Sequence, residues 1–197
     1  MPGGYHSGER DLQDRFDTRR LADRLDERMV REVIRASDRA FIEARDMVFV
    51  ATADADGFPS CSYKGGDPGF VHVLDERTLA LPNYDGNGMY RTWGNVAVNP
   101  RVGLLFIDFE GRRRLRLEGT ATIEEPDPER FGEWPGAQFV VVISAVRVYP
   151  NCPRYIHRMA LVERSAYVPH AEAPPPEPSW KREDWARDVL PGAPNPG

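Results

Sequence analysis

Short apolar segments separated by glycine and proline turns fill the middle of the chain and constrain its fold most strongly. The predicted strands cover residues 47–53, 58–64, 70–74, 78–82, 102–109, 113–125 and 137–150. Asp56-Gly57 is a strong hairpin signal between the first two. This regular spacing predicts a mainly β fold, a six- to seven-stranded antiparallel barrel with flanking helices. A doubly wound sheet is not expected, because no GxGxxG motif follows a strand.

Two of these strands are apolar on both faces. Residues 102–109 read VGLLFIDF, and the last strand is apolar without interruption from Phe139 to Val142. A strand of this kind is covered on both sides, whereas a small antiparallel sheet turns only one face to its own core. We therefore expect a second subunit to cover the other face of the last strand. Strand 113–125 alternates cleanly, with one apolar face formed by Leu115, Leu117, Ala121 and Ile123.

The two ends of the chain differ from this middle. We predict an N-terminal helical arm over residues 1–37, with residues 1–8 disordered, and a barrel domain over residues 38–167. Residues 168–197 are rich in proline and predict an extended tail. One short helix between Lys181 and Leu190 is expected there, docked by Trp180, Trp185 and Leu190.

Charge and cysteine content narrow the function classes. The net charge is −5 without a Lys/Arg-rich block, which gives a nucleic-acid partner little support. Cys61 and Cys152 are far apart, and no Cys/His spacing resembles a metal site, so no metal is expected. No apolar run is long enough for a membrane span or a signal core. These features predict a cytoplasmic protein with both thiols free.

The segment from Asn83 to Arg101 has the local chemistry of an anion site. A polar glycine-rich lead-in precedes a predicted helix that Pro100 ends. The first turn of this helix contains Arg91 and Thr92 beside free backbone N–H groups and the positive end of the helix dipole. The apolar face of the helix is predicted to contain Met89, Trp93, Val96 and Ala97.

The second strand adds a polar row. Alternation puts Ser60, Ser62 and Lys64 on one face, and Cys61 and Tyr63 on the other. Such a row is unremarkable on an exposed face, but beside apolar strands it forms a polar wall for an anionic ligand. Lys64 would supply a point charge, and the hydroxyls would hydrogen-bond a planar heterocycle.

Further polar residues surround the predicted helix. Pro82 and Asn83, at the end of the fourth strand, would frame the cavity. Asn95 lies one helical turn beyond Arg91 and reaches the same ligand or, alternatively, bonds the backbone before the helix ends.

Three segments together resemble one protein family. FVATADADGFPSCSYKGG, TLALPNYDGNGMYRTWGN followed by VAVNPRVGLLFID, and RLRLEGTATI are similar to the pyridoxamine 5′-phosphate oxidase family, the flavin-binding split barrels. Within that superfamily, HSGERDLQ and NCPRYIHR resemble a narrower group of flavin-nucleotide-binding proteins. The resemblance covers about residues 38–150. It implies a split β-barrel homodimer that holds FMN in clefts at the subunit interface.

The resemblance also implies roles for individual residues. Arg91 matches the phosphate-binding arginine of the family, Thr92 stands at a second phosphate-binding position, and Asn95 at a flavin-contacting one. The residues expected to bind the cofactor are Ser60, Ser62, Tyr63, Lys64, Pro82, Asn83, Asn87, Met89, Arg91, Thr92 and Asn95.

The resemblance does not extend to the segment by which the oxidase holds pyridoxal phosphate. Its arginine-containing C-terminal segment is replaced here by APPPEPSWKREDWARDVLP. The sequence therefore predicts an FMN-dependent oxidoreductase with an unidentified substrate and unassigned catalytic residues. Alternatives are a non-catalytic flavin-binding or electron-carrier module, and a split barrel that uses haem or a deazaflavin.

Cys152 beside Arg154 is either a structural thiol or a redox group with a lowered pKa, and Tyr155 and His157 are candidates for the substrate side.

Overall fold

Seven antiparallel strands form one sheet in the computed structural model, which describes residues 4–193. The strands are β1 (Met47–Ala53), β2 (Pro59–Gly65), β3 (His72–Val73), β4 (Thr78–Tyr84), β5 (Arg101–Asp108), β6 (Arg113–Glu124) and β7 (Ala137–Pro150). Their order across the sheet is β2-β1-β5-β6-β7-β4-β3. The prediction of a mainly β, six- to seven-stranded antiparallel split barrel is confirmed.

The sheet curls so that strands distant in its order face each other. β2 lies at one edge and β4 next to the other edge, yet residues of both line one cleft. Right-handed strand twist favours such curling, and it converts an open sheet into a partly closed barrel. The cleft at this opening is the candidate site described below.

Inward-facing residues of β5 and β6 form the centre of the core. Val102, Leu104 and Phe106 of β5 are buried, and the residues between them are half-buried or less. β5 is therefore fully buried on one face within this chain, not on both as expected. On β6, Leu115, Leu117 and Ala121 are buried as the alternation predicts, whereas Ile123 near the strand end is 42% exposed.

The second face of β7 is covered by the chain itself. Val140 and Val142 pack with Phe131 in a small cluster, and Trp134 lies against it. Phe131 ends the short helix α5 in the connection between β6 and β7. The expectation that a second subunit covers this face is wrong, because the β6–β7 connection folds back over its own strand.

The helices flank the sheet. They are α1 (Ser7–Arg15), α2 (Arg19–Met29), α3 (Ala36–Glu43), α4 (Arg91–Val98), α5 (Pro128–Phe131) and α6 (Asp184–Arg187), with a 3₁₀ turn at Ser179–Arg182. None of the helices described is long and apolar enough to cross a membrane.

The N-terminal arm, α1 and α2, is helical as predicted, but it begins earlier. The His6 side chain accepts a hydrogen bond from Glu9 N, and Glu9 caps His6 N in return. Residues 6–8 are thus ordered, which corrects the expectation for 1–8; residues 1–3 lie outside the described range. No residue of either helix is buried.

Helix α4 begins later than its apolar pattern suggested. Tyr90 precedes it with φ of 48°, a left-handed conformation that a bulky residue adopts rarely. Met89 therefore lies before the helix and is 56% exposed, and Ala97 is also exposed. The inward face consists of Thr92, Trp93 and Val96, which corrects the predicted face.

The tail carries its short helical elements at the expected place. Trp180 stacks on Trp185 with ring centroids 6.0 Å apart, but Trp185 is 69% exposed. The buried residue is Ala186, so the docking contact differs from the one predicted. The prolines at 194 and 196 lie outside the described residues.

Candidate functional site

A cleft of about 460 Å³ lies between β2, the end of β4 and the start of α4. Its volume is within the range of small-molecule sites, about 300–1,000 Å³. Ten of the eleven residues predicted to bind a cofactor line it: Ser60, Ser62, Tyr63, Lys64, Pro82, Asn83, Asn87, Met89, Arg91 and Thr92. Three segments from residues 60 to 92 thus meet in one place.

The start of α4 supplies the anion-binding chemistry. The first N–H groups of the helix have no intrahelical acceptor, and the dipole makes this end positive. Arg91 is the first residue of the helix and is exposed, whereas Thr92 is buried. Asn87 Oδ1 accepts a hydrogen bond of 3.0 Å from Met89 N and shapes the turn that leads into the helix.

Two basic side chains face the cleft without a carboxylate partner. Among residues 4–193, neither Lys64 nor Arg91 has an acidic group within 4.0 Å. Lys64 is half-buried, its Nζ lies 5.0 Å from the centroid of the Trp93 ring, and burial lowers its pKa. Asp85, a carboxylate of the cleft lining, is paired with Lys181 at 2.5 Å. The cleft therefore favours an anionic ligand.

A hydrogen-bond network fixes the inner wall. Asn83 Oδ1 accepts from Trp93 Nε1 at 2.7 Å, and Asn83 Nδ2 donates to Gln138 Oε1 at 2.9 Å. Tyr90 Oη donates to the same Gln138 oxygen at 3.2 Å. The Asn83 amide is thus committed to holding α4 against β4, and its contact with a ligand is limited to what this network leaves free.

Asn95 lies outside the cleft lining. Its Nδ2 donates to Thr52 Oγ1 on β1 at 3.0 Å, one helical turn beyond Arg91. This corrects the expectation that Asn95 reaches the same ligand within one chain, and its side chain bonds a strand hydroxyl instead of the nearby backbone.

The other candidate residues also lie elsewhere. Cys152 is exposed beside a separate cavity under the N-terminal arm, with Arg154 Nε 3.1 Å from its Sγ. Backbone and side-chain hydrogen bonds from Arg154 lower the pKa of this thiol, as expected for that pair. Tyr155 is 85% exposed, and neither it nor His157 lines the cleft.

Nine residues of the cleft lining were not among those predicted to bind the cofactor. They are Cys61, Gly65, Phe70, Tyr84, Asp85, Gly86, Gly88, Tyr90 and Trp93. Because β2 is an edge strand, residues of both its faces reach the cleft, so alternation alone missed Cys61. Tyr84 lies two residues beyond the predicted end of β4 and is the last residue of the observed strand; burial raises its pKa to about 12, so the phenol stays protonated. The glycine-rich lead-in was the signal that could have extended the site to residues 84–90.

The arrangement suits binding of a planar ligand with an anionic group. The anion fits the start of α4 with Arg91, and β2 offers hydroxyls and edge amides along the length of the cleft. None of the four histidines lines it, and the phenols of Tyr63 and Tyr84 both have raised pKa values because of burial. The lining can therefore hold and orient a ligand, and it contains no histidine that could act as a general acid or base.

Comparison with known proteins gives a consistent family. A family model described as "Pyridoxamine 5′-phosphate oxidase" matches residues 34–152, which is more than half of the chain. Two curated proteins named pyridoxine/pyridoxamine 5′-phosphate oxidase, from Paraburkholderia phymatum and Burkholderia vietnamiensis, are 28% and 29% identical over 143 residues. Each alignment covers 66% of this chain and 58% of the relative, so the match spans little more than half of those proteins.

Solved structures show a more distant similarity. Tagged HupZ of Group A Streptococcus is 23% identical, with a TM-score of 0.46 over 59% of this chain and 93% of that one. An FMN-binding protein from Syntrophomonas wolfei is 12% identical, with a TM-score of 0.43 over 71% of this chain and 95% of that one.

Proposed function

The chain belongs to the pyridoxamine 5′-phosphate oxidase family, and from that premise we propose that it binds FMN in the cleft and acts as a flavin-dependent oxidoreductase on a small molecule. One observation carries the proposal. The same cleft contains the start of α4 and two basic groups without a carboxylate partner in the described chain, Lys64 and Arg91. A phosphate group meets all three.

The residues present fit FMN. Arg91 and the first N–H groups of α4 would hold the phosphate, and the Lys64 ammonium would add a charge from β2. Ser60 and Ser62 would donate to the polar edge of the ring system, with Tyr63 beside it. The depressed pKa of Lys64 reflects desolvation without a bound counter-ion, and a bound phosphate would favour the charged form again.

The cofactor would supply the redox chemistry, namely acceptance and donation of electrons or hydride at the flavin. The protein's part is to bind it, to orient the ring along β2 and to exclude water. The absence of histidine from the cleft lining fits this division, because hydride transfer needs no protein acid or base at the transferred atom.

The reaction of the relatives is a weaker proposal for this chain. The match spans 58% of their length, and the tail here has its own sequence. We therefore propose an oxidoreductase whose substrate differs from pyridoxamine phosphate.

The absorption spectrum of the purified protein tests the cofactor. The expected result is the two-band spectrum of an oxidised flavin, either as isolated or after addition of FMN, followed by anaerobic bleaching with NADH or NADPH. A protein that stays colourless with FMN overturns the proposal, and a Soret band would identify a haem protein. Uptake of a deazaflavin in place of FMN would assign the cleft to that cofactor, and flavin binding without reduction by any donor would favour an electron-carrier or storage module.

A homodimer with a cleft at each interface is the assembly we propose. Large apolar side chains are exposed along the arm and beside the cleft, namely Leu12, Phe16, Leu21, Phe58 and Tyr63. Such surfaces are typical of a partner contact. Light scattering coupled to size exclusion measures the mass directly, and a monomer at micromolar concentration would contradict the dimer.

A cytoplasmic location also remains our proposal; it is supported by two exposed free thiols, Cys61 and Cys152.

A further inference from the structure

A second cavity, the chamber, adjoins the cleft, and we propose that it binds an aromatic molecule bearing a positive charge instead of a phosphorylated one. It has a volume of about 720 Å³ and lies between the α3–β1 connection, the ends of β2 and β5, and segment 159–168 after β7. This ligand preference follows from the walls of the chamber and does not depend on the proposed function.

The chamber and the cleft share a wall. Tyr63, Gly65 and Tyr84 line both cavities. Gly65 follows Lys64 at the end of β2, whereas Ser60 and Ser62 lie toward its start, so the chamber adjoins the anionic end of a ligand held by Arg91 and Lys64. A Cβ at Gly65 would come within 2.9 Å of the Tyr63 ring, so a side chain at this position would displace that exposed ring.

Apolar groups form much of the chamber wall. The barrel strands and their ends contribute Met47, Ile107 and Phe109, and segment 159–168 contributes Met159 and Leu161. Together with the two tyrosines, this lining suits a flat apolar body.

Segment 159–168 and the start of the tail are held in place by contacts of Arg164 and His170 with a loop of the barrel. Arg164 Nη1 lies 3.2 Å from Asp67 Oδ1, and His170 Nδ1 lies 3.3 Å from Asp67 Oδ2. Asp67 belongs to the loop that follows β2. The outer wall of the chamber is thus attached to the strand along which the cofactor would lie.

Carboxylates dominate the charge of the chamber. Asp46, Glu110 and Glu163 line it, and no basic group lies within 4.0 Å of them among residues 4–193. Its two arginines are neutralised, because Arg45 Nη1 lies 3.4 Å from Asp108 and Arg164 pairs with Asp67.

This charge is opposite to that of the cleft. The chamber repels a phosphate and attracts a cation, whereas the start of α4 does the reverse. One molecule with an anionic end and a second with a cationic end are therefore directed to neighbouring cavities.

Three probes with one ring system and different charges test the preference. Naphthylmethylammonium, naphthylmethanol and naphthylmethylphosphonate are titrated calorimetrically into the full chain and into Ala160→Trp, with and without FMN. Only the binding that the variant loses is assigned to the chamber, because the cleft is itself proposed to take an aromatic anion. Naphthylmethylammonium should bind most tightly and the phosphonate most weakly, with roughly fivefold or more between them. Equal affinity for the two charged probes, or binding of none, overturns the proposal.

Two pairs of variants locate the binding. Ala160→Trp fills the chamber from segment 159–168 and should abolish ammonium binding. Ala171→Trp, on the tail and outside the lining, should leave ammonium binding unchanged. Glu163→Gln should weaken ammonium binding by roughly two- to fivefold, and Glu172→Gln should leave it unchanged. Ammonium binding that survives Ala160→Trp contradicts the proposal.

The FMN titration of the same samples separates this proposal from the proposed function. Ala160→Trp should leave FMN affinity unchanged. If the wild-type chain takes up no FMN, the proposed function fails, while the order of the three probes still decides whether the chamber has the predicted preference.

Discussion

Trp93 Nε1 donates a hydrogen bond of 2.7 Å to Asn83 Oδ1 and so joins the first turn of α4 to the end of β4. Both side chains are buried, and both line the cleft. The position of the helix start, and with it that of Arg91, depends on this contact.

Replacing Asn83 by Ala should therefore affect both stability and binding. The buried Trp93 N–H loses its acceptor, which costs about 1–3 kcal/mol of unfolding free energy. FMN affinity should fall as well, because the helix start is less firmly held. Urea unfolding and FMN titration measure the two effects. Gln138→Ala, which removes the exposed end of the same network, is the matched control and should cost clearly less; equal losses would show that the Trp93 bond has no special role.

Lys64→Met should stabilise the ligand-free protein while weakening FMN binding. Burial lowers the pKa of Lys64 below its ordinary 10.5, so the folded protein binds this proton less firmly than the unfolded chain. Stability therefore rises with pH between the lowered pKa and 10.5, and below that window the buried charge costs stability in full. The melting temperature of the variant should exceed that of the wild type at neutral pH, and the difference should shrink as the pH approaches about 10.

The control for this prediction keeps the charge. Lys64→Arg should retain more FMN affinity than Lys64→Met, since a cation remains on β2. A lower melting temperature for Lys64→Met at neutral pH would show that packing of the lysine stem outweighs its desolvation.

Phe131→Ala tests the cover of β7 by its own chain. Phe131 is 2% exposed against Val140 and Val142, so its truncation should cost about 3–5 kcal/mol of unfolding free energy. The mass of the protein in solution, measured by light scattering, should show the same number of subunits as the wild type. Tyr155→Ala, at an 85% exposed position, is the control and should be close to neutral. A small loss of stability with a changed mass would instead indicate that this face belongs to a subunit interface.

The strands could be read from the sequence because their signals are local. Alternation over 113–125 and the Asp56-Gly57 turn placed β6 and the β1–β2 hairpin within one or two residues. The position of Arg91 and Thr92 in the first turn of α4 was also a local signal, since a glycine-rich turn and a proline stop bound one short helix.

Long-range contacts could not be read in the same way. Nothing near Asn95 in sequence indicates that Thr52, 43 residues earlier, is its partner. The cover of β7 by Phe131 depends on how the β6–β7 connection folds back, and apolar strand residues do not specify what covers them. The left-handed conformation of Tyr90 makes the helix begin at Arg91 and leaves Met89 outside it, although the apolar spacing alone included Met89.

We propose that Arg91 and the start of α4 hold the phosphate of FMN. The most direct test is the equilibrium titration of wild type and Arg91→Ala with FMN and with riboflavin, which has the same ring system and lacks the phosphate. Loss of a charge-assisted hydrogen bond of about 1.5–3 kcal/mol should weaken FMN binding by roughly 10- to 150-fold and leave riboflavin affinity unchanged. Arg101→Ala, an exposed arginine outside the cleft, should alter neither. Equal FMN affinity in wild type and Arg91→Ala, or an equal loss for both ligands, would contradict the account.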